Sequence, residues 1–390
     1  VVHKIPPESF PGPAKNHLYY LMGRKLYEQQ ELTEASNYFK QISSKSELYM
    51  RAKYFEGVIN NEKGKLKSAV MSFREVMTAE PPVSTGDARR SKELEDLKDL
   101  ALINVARIYY GLERFDNANN YYSQVDRAST YWSESLFERA WTNFFIQDLN
   151  HTLGLLLTVE SPYFNQTEYI PEVTVLRALT FFQMCEYDEV ERLLIGFEND
   201  SRPMVAELDG FLTQYKTDEG KKLADQAYDK YFSEPHTRSA LDTAMFSRTL
   251  RNRDLAAYVR HMDMMDDEIS AIDAQKGVWK TSIGDSLKKT IEKDRQRYKR
   301  KAGLTLLREV AGQKKNLEDL LVQSEIIRFE VVDAQRQDYE FKSSNPNVAA
   351  LDAGQIDFAV SKEIIYWPFN GEFWADELGY YRYTEDGNCK

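Results

Sequence analysis

Few of this chain's titratable side chains sit at a spacing that performs chemistry. Its five histidines, His3, His17, His151, His236 and His261, are scattered, and none pairs with Cys, Ser or Asp in a known motif. The two cysteines, Cys185 and Cys389, form no CxxC or Cys/His cluster, which argues against a zinc site. The acidic stretch 261–268 lacks the glycine turn of a calcium loop and reads as solvated helix surface. The basic run 288–301 likewise reads as a solvated face. Glu372, Asp376 and Glu377 beside Trp367 and Trp374 form one carboxylate group suited to general acid–base work, against the plainer reading of an aromatic plug on a core. No catalytic residue, metal or cofactor is assigned. What does recur is Arg and Tyr at helical spacing: His17, Tyr20, Arg24 and Tyr27; Arg51, Tyr54 and Asn61; Arg107 and Tyr110; then Trp141 and Phe144. This is recognition chemistry, since Arg pairs bidentately with carboxylates and aromatic rings supply rigid contact area.

The elements that must position these residues are repeated helical hairpins. Gly23, Ala35, Phe39 and Ile42 recur as Gly57, Ala69, Phe73 and Val76, each shifted by 34 residues. Weaker copies keep Ala106, Ala118, Tyr122 and Val125, then Ala140 and Thr152, then Ala178 with Val190. Small residues are expected where two helices approach closely, because a larger side chain there overpacks. The aromatic residues fill space toward the next hairpin. A period of 34 with this pattern resembles the tetratricopeptide repeat (TPR) family. The resemblance implies an all-α fold in which a right-handed solenoid of stacked hairpins makes a binding groove. The hairpins are placed at 16–47, 48–80, 96–129, 131–160 and 170–198, with a loop insertion at 81–95. An extended arm (1–15) precedes them and capping helices (199–236) follow.

Farther on, two heptad stripes predict a long antiparallel coiled-coil hairpin over 237–341. One stripe is Leu255, Tyr258, Met262, Met265, Ile269 and Ile272. The other is Leu317, Leu320, Ser324, Ile327, Val331 and Ala334. Gly277 and Gly284 mark the turn. After a linker, Ile364 to Phe369 and Phe373 to Tyr383 predict a small β-type aromatic unit within 342–390.

In the TPR reading the groove is lined by the Arg, Tyr and aromatic residues named above, with Glu134, Phe137, Val175, Leu179 and Phe182 at its apolar end. A protein or peptide partner is expected there; the alternative is that the chain's own later segments fill the apolar end. Charge reversal of Arg24 and Arg107 is expected to abolish partner capture without unfolding. The net charge of −11 argues against nucleic acid as a partner, and no apolar run is long enough to span a membrane.

The order of parts, with LVQSEIIRFEVVDAQRQ and then YWPFNGEFWADELGYYRY near a Cys, resembles exported TPR proteins of predatory and gliding bacteria. That resemblance implies a non-enzymatic periplasmic scaffold in an envelope or gliding-motility complex, with its signal peptide removed; a cytoplasmic location is the alternative. In an oxidising compartment a Cys185–Cys389 bridge would pin the tail and close a loop of about 200 residues. Two rival functions remain: a glycan binder or hydrolase built on the aromatic C-terminal unit, and a homo-oligomer joined through the coil.

Overall fold

In a computed structural model the described residues are 10–79, 88–165, 170–217, 219–220, 223–233, 248–249, 252–344, 371–381, 383 and 387–388. The fold is all-α. The chain divides into two compact units, Val1–Val159 with Gly379–Thr384, and Glu160–Leu378 with Glu385–Lys390.

Unit 1 holds four helix pairs: α1 (Gly12–Glu28) and α2 (Leu32–Lys40), α3 (Tyr49–Glu62) and α4 (Leu66–Thr78), α5 (Ala88–Gly111) and α6 (Phe115–Tyr122), α7 (Trp132–Phe145) and α8 (Leu149–Val159). Each pair packs on itself and on the pair that follows it within the unit. The steric expectation for the small residues holds. A Cβ on Gly23 would lie 2.8 Å from the Phe39 ring, and one on Gly57 would lie 2.6 Å from the Phe73 ring. Both rings, with Ala35, Ala69, Ala106, Ala118 and Ala140, are fully buried or nearly so.

Two boundaries differ from expectation. Helix α1 begins inside the expected extended arm, because a proline in the first turn gives up an N–H that has no helical partner anyway. Helix α5 begins at Ala88, inside the expected loop, because Leu94, Leu97 and Ala101 continue its apolar spacing toward the core of Phe73 and Val76. Residues 80–87 lie outside the described set.

Unit 2 opens with the helical turn α9 (Pro162–Asn165), then α10 (Glu172–Gln183) and α11 (Tyr187–Thr213). Helix α11 does not stop near 198 but runs on through Pro203. The hydrogen bond lost there is offset by burial of Met204, Leu208 and Leu212. Helices α12 (Ala224–Ser233) and α13 (Arg253–Ala274) follow, then a 3-10 turn (Gly277–Lys280) and α14 (Ser282–Ser344), which is 63 residues long.

The chain reverses at Gly277 (φ +69) and Gly284, where an added Cβ would strike the Trp279 carbonyl. Helix α13 then runs antiparallel to the first half of α14, with Lys288 bonded to Asp273, Arg295 to Asp266 and Asn252 to Glu309. The second heptad stripe, however, does not face the first. Ser324 and Arg328 bond to Glu198, and Arg202 to Glu325, so this part of α14 lies on α11. One unbroken helix thus carries both halves: α11 supplies the partner for the second stripe, and α12 meets the first half near Lys299 and Gly303. The expected β-type unit falls largely outside the described residues; of its described part, residues 375–380 form turns.

Candidate partner-binding face

Five turns are built alike, and they aim the C-terminal ends of the first helices. Gln30, Gly64, Glu113, Gln147 and Cys185 all have φ between +57° and +69°. In each turn the next residue donates its N–H five positions back: Glu31 to Leu26, Lys65 to Asn60, Arg114 to Tyr109, Asp148 to Asn143 and Glu186 to Phe181. This is the left-handed helix stop that usually takes glycine. Only Gly64 obeys that preference, so four of the turns carry a side chain in strained backbone.

The expected face residues are brought together on the first helices, but neighbouring elements already engage most of their polar groups. His17 Nε2 lies 3.3 Å from a Glu47 carboxylate oxygen. The Tyr27 hydroxyl donates to Glu62 at 2.5 Å, and Arg51 donates to Glu93 at 2.7 Å. Tyr54 accepts from Asn104 at 3.1 Å. Tyr20 and Tyr27 pack on Phe55 of the next hairpin, with ring centroids 6.1 and 5.5 Å away. Arg24 pairs within its own helix with Glu28 at 3.2 Å, and Asn61 is exposed.

Arg107 is the most committed of these residues. Its Nε lies 2.9 and 3.1 Å from the two Glu138 oxygens, and its Nη2 lies 2.8 Å from Glu134. Tyr122 donates to the same Glu138 at 2.7 Å. Burial opposes the Arg107 charge, but the two carboxylates outweigh it and hold the guanidinium more firmly protonated than usual. Burial and Glu138 together push the Tyr122 hydroxyl upward. Reversing the charge of Arg107 would set three carboxylates against one another, so the variant is expected to perturb local packing as well as binding. Sequence reasoning missed Glu62, Glu93 and Glu138. Glu62 and Glu138 carried a signal, lying about one repeat beyond Tyr27 and Arg107; Glu93 did not, lying 42 residues beyond Arg51.

The open apolar part of this face centres on Phe145. Phe115 stacks on Phe145 at 5.0 Å, and Tyr110 meets both rings at 5.5 and 5.9 Å. Trp141 packs on Phe144 and Phe145 at 5.9 and 6.0 Å. Phe145 and Leu112 are each 46% exposed, and Ile146 borders them. The depression beside Phe115 and Ile146 holds about 250 Å³, less than a typical small-molecule site. Exposed apolar side chains beside a depression lined mainly by Glu113, Arg114, Asp116 and Asn117 suit a macromolecular surface better. Val175, expected on the face, is buried, whereas Phe182 is partly covered and meets Tyr187 at 5.9 Å. Among the described residues no group of three or more His, Cys, Asp or Glu is arranged to hold a metal ion. No described helix is long and apolar enough to cross a membrane.

The tail reaches each unit by separate contacts. In unit 1 the Gly379 N–H donates to Thr158 Oγ1 at 3.0 Å, and the Arg127 guanidinium lies 5.4 Å from both the Trp132 and Tyr380 rings. None of these is a face residue singled out above. In unit 2 the Asn388 N–H donates to the Met184 carbonyl at 2.7 Å, and its side-chain amide donates to Glu186 at 2.8 Å. Between those two residues, Cys185 is disulfide-bonded. Cys389, the other cysteine of the sequence, lies outside the described residues. Compared with protein-family models and with curated proteins, the chain matches none of them.

Proposed function

We propose that this chain is a non-enzymatic interaction scaffold of the tetratricopeptide type, which binds a protein or peptide on the groove formed by its first helices. The observation that carries the reading is the exposed apolar cluster of Phe145, Leu112 and Ile146 beside Tyr110 and Trp141. Exposed aromatic anchors with a polar rim are what a protein partner seats on. The five identically bonded turns support the repeat assignment, because a recurring stop holds each hairpin at the same angle. In this reading α13 and the first half of α14 form the coiled coil and offer a second docking surface. A Cys185–Cys389 bridge pins the tail, and the protein works in the bacterial envelope, with a motility complex as the setting the sequence resemblance implies.

The test is proximity labelling in the native cell with the wild type and with Phe145→Ser and Leu112→Ser variants of unchanged helical content. Loss of one or a few captured envelope proteins in both variants is expected. Identical capture by all three would sink the assignment of the patch. Trp374 and Tyr380, both well exposed, keep a glycan-binding role for the C-terminal segment as the second reading. Retained binding to envelope glycans after Trp374→Ala would exclude it.

A further inference from the structure

Between residues 315 and 340, helix α14 is apolar on two opposite faces. One face, with Leu317, Leu320, Ser324, Ile327 and Val331, is buried, and Ser324 and Arg328 reach Glu198 of α11 from it. The other face is exposed apart from the half-buried Asp333, and follows its own 4-3 spacing: Lys315, Asp319, Val322, Ile326, Phe329, Asp333, Arg336 and Glu340. Val322, Ile326 and Phe329 are 56%, 53% and 76% exposed. A helix apolar on both sides is built to lie between two neighbours; here the buried face packs on α11, with Asn316 also donating to Glu172 of α10, while Val322, Ile326 and Phe329 stay exposed.

The charges flanking the exposed apolar centre say what the second neighbour is. Folded about a point between Ile327 and Arg328, the stripe is complementary to itself. Ile326 then faces Phe329 of a second copy, Asp319 faces Arg336, and Lys315 faces Glu340, and each pairing occurs twice by symmetry. A parallel pairing would set every one of these charges against its own kind. The one mismatch, Val322 opposite Asp333, is softened because Arg336 and Gln337 each donate to Asp333 at 2.7 Å. We propose that a second copy of this chain docks here, with its α14 antiparallel, making an isologous two-fold dimer. Exposed ion pairs contribute little energy; here they set orientation, and the apolar centre supplies the affinity. A helix-on-helix contact of this length, about 38 Å at 1.5 Å per residue, is at the small end of specific interfaces, so a weak, concentration-dependent dimer is expected. The proposal does not depend on the scaffold function above.

The experiment is sedimentation velocity on the full chain from low to several hundred micromolar. Wild type is expected to pass from monomer to dimer. Ile326→Glu and Phe329→Glu, both at exposed positions and checked for unchanged circular dichroism, are expected to weaken it about tenfold or more. Asp319→Arg alone and Arg336→Asp alone are each expected to weaken it, and the two together to restore it. A chain that stays monomeric throughout overturns the proposal, as does a dimer indifferent to Ile326 and Phe329. Failure of the double swap to restore dimerisation overturns the antiparallel pairing.

Discussion

Replacing Gly57 with alanine should destabilise unit 1, although the same change elsewhere in the chain should stabilise. In a helix interior, Gly→Ala normally gains about 0.5–1 kcal/mol, because glycine loses more backbone freedom on folding. At Gly57 the new Cβ would lie 2.6 Å from Phe73 Cε1, 2.8 Å from Cδ1 and 2.9 Å from Cζ. Carbon atoms rest at about 3.5 Å or more, so the ring must retreat by about 0.9 Å. It cannot do so freely, being fully buried and held against Tyr54 at 5.6 Å. Overpacking of this kind costs about 1–3 kcal/mol, which leaves a net loss of about 1 kcal/mol, or about 2–4 °C for a unit of this size. At Gly196, inside α11, a Cβ meets nothing within 4 Å, and Gly196→Ala should gain the full propensity term. Hydrogen exchange read by mass spectrometry on α3 and α4 peptides, and separately on α11 peptides, measures each unit in its own surroundings. Phe73→Leu should then rescue Gly57→Ala, giving a coupling energy of about 1 kcal/mol in a double-mutant cycle. If Gly57→Ala stabilises its unit as much as Gly196→Ala does, the close-approach argument is wrong.

Four further expectations follow from the structure. Gln147→Gly and Glu113→Gly should each raise the thermal midpoint, by about 1 kcal/mol of relieved left-handed strain, whereas Gly64→Ala should lower it by a similar amount; equal effects at all three positions would refute the turn assignment. Glu138→Ala should cost about 1–2 kcal/mol, because it strips charge-assisted bonds from Arg107 and Tyr122, and Arg107→Ala added to it should cost little more; strictly additive losses in urea titrations would contradict the pairing. Burial raises the Glu198 carboxyl, but Ser324, Arg202 and Arg328 outweigh it and leave it below its ordinary range. Its stabilisation is therefore present above the ordinary carboxylate pKa and is lost as pH falls through the depressed value. Glu198→Gln should thus weaken the protein near pH 7 and converge with wild type in acid. Glu56, raised mainly by burial, carries the opposite sign: its favourable contribution exists below the ordinary carboxylate pKa and disappears as pH rises, so Glu56→Gln should help most near neutrality.

Much of the hairpin region was legible because its determinants are local. The positions of Gly23, Gly57, Ala106 and Ala140 are read from a residue size and a spacing, and the structure places them where helices touch. The face residues were legible as a set, but their role was not. Whether Arg51 or Arg107 is open to a partner depends on where Glu93 and Glu138 come to lie, and that depends on how one hairpin is set against the next. The stop at Gln30, Glu113, Gln147 and Cys185 leaves no mark in residue type, because tertiary packing imposes a conformation those residues disfavour.

The sequence alone determined that the chain is mainly helical and which residues of the hairpins are too small to be replaced. Each of these follows from side-chain periodicity and volume along one segment. Only the tertiary structure decided that α11 passes through Pro203 and that α14 is one helix. It alone paired the second heptad stripe with α11 rather than with α13, and left Val322, Ile326 and Phe329 facing outward. Those outcomes depend on which apolar faces compete for the same neighbour, and a stripe on one helix carries no record of the face it will meet.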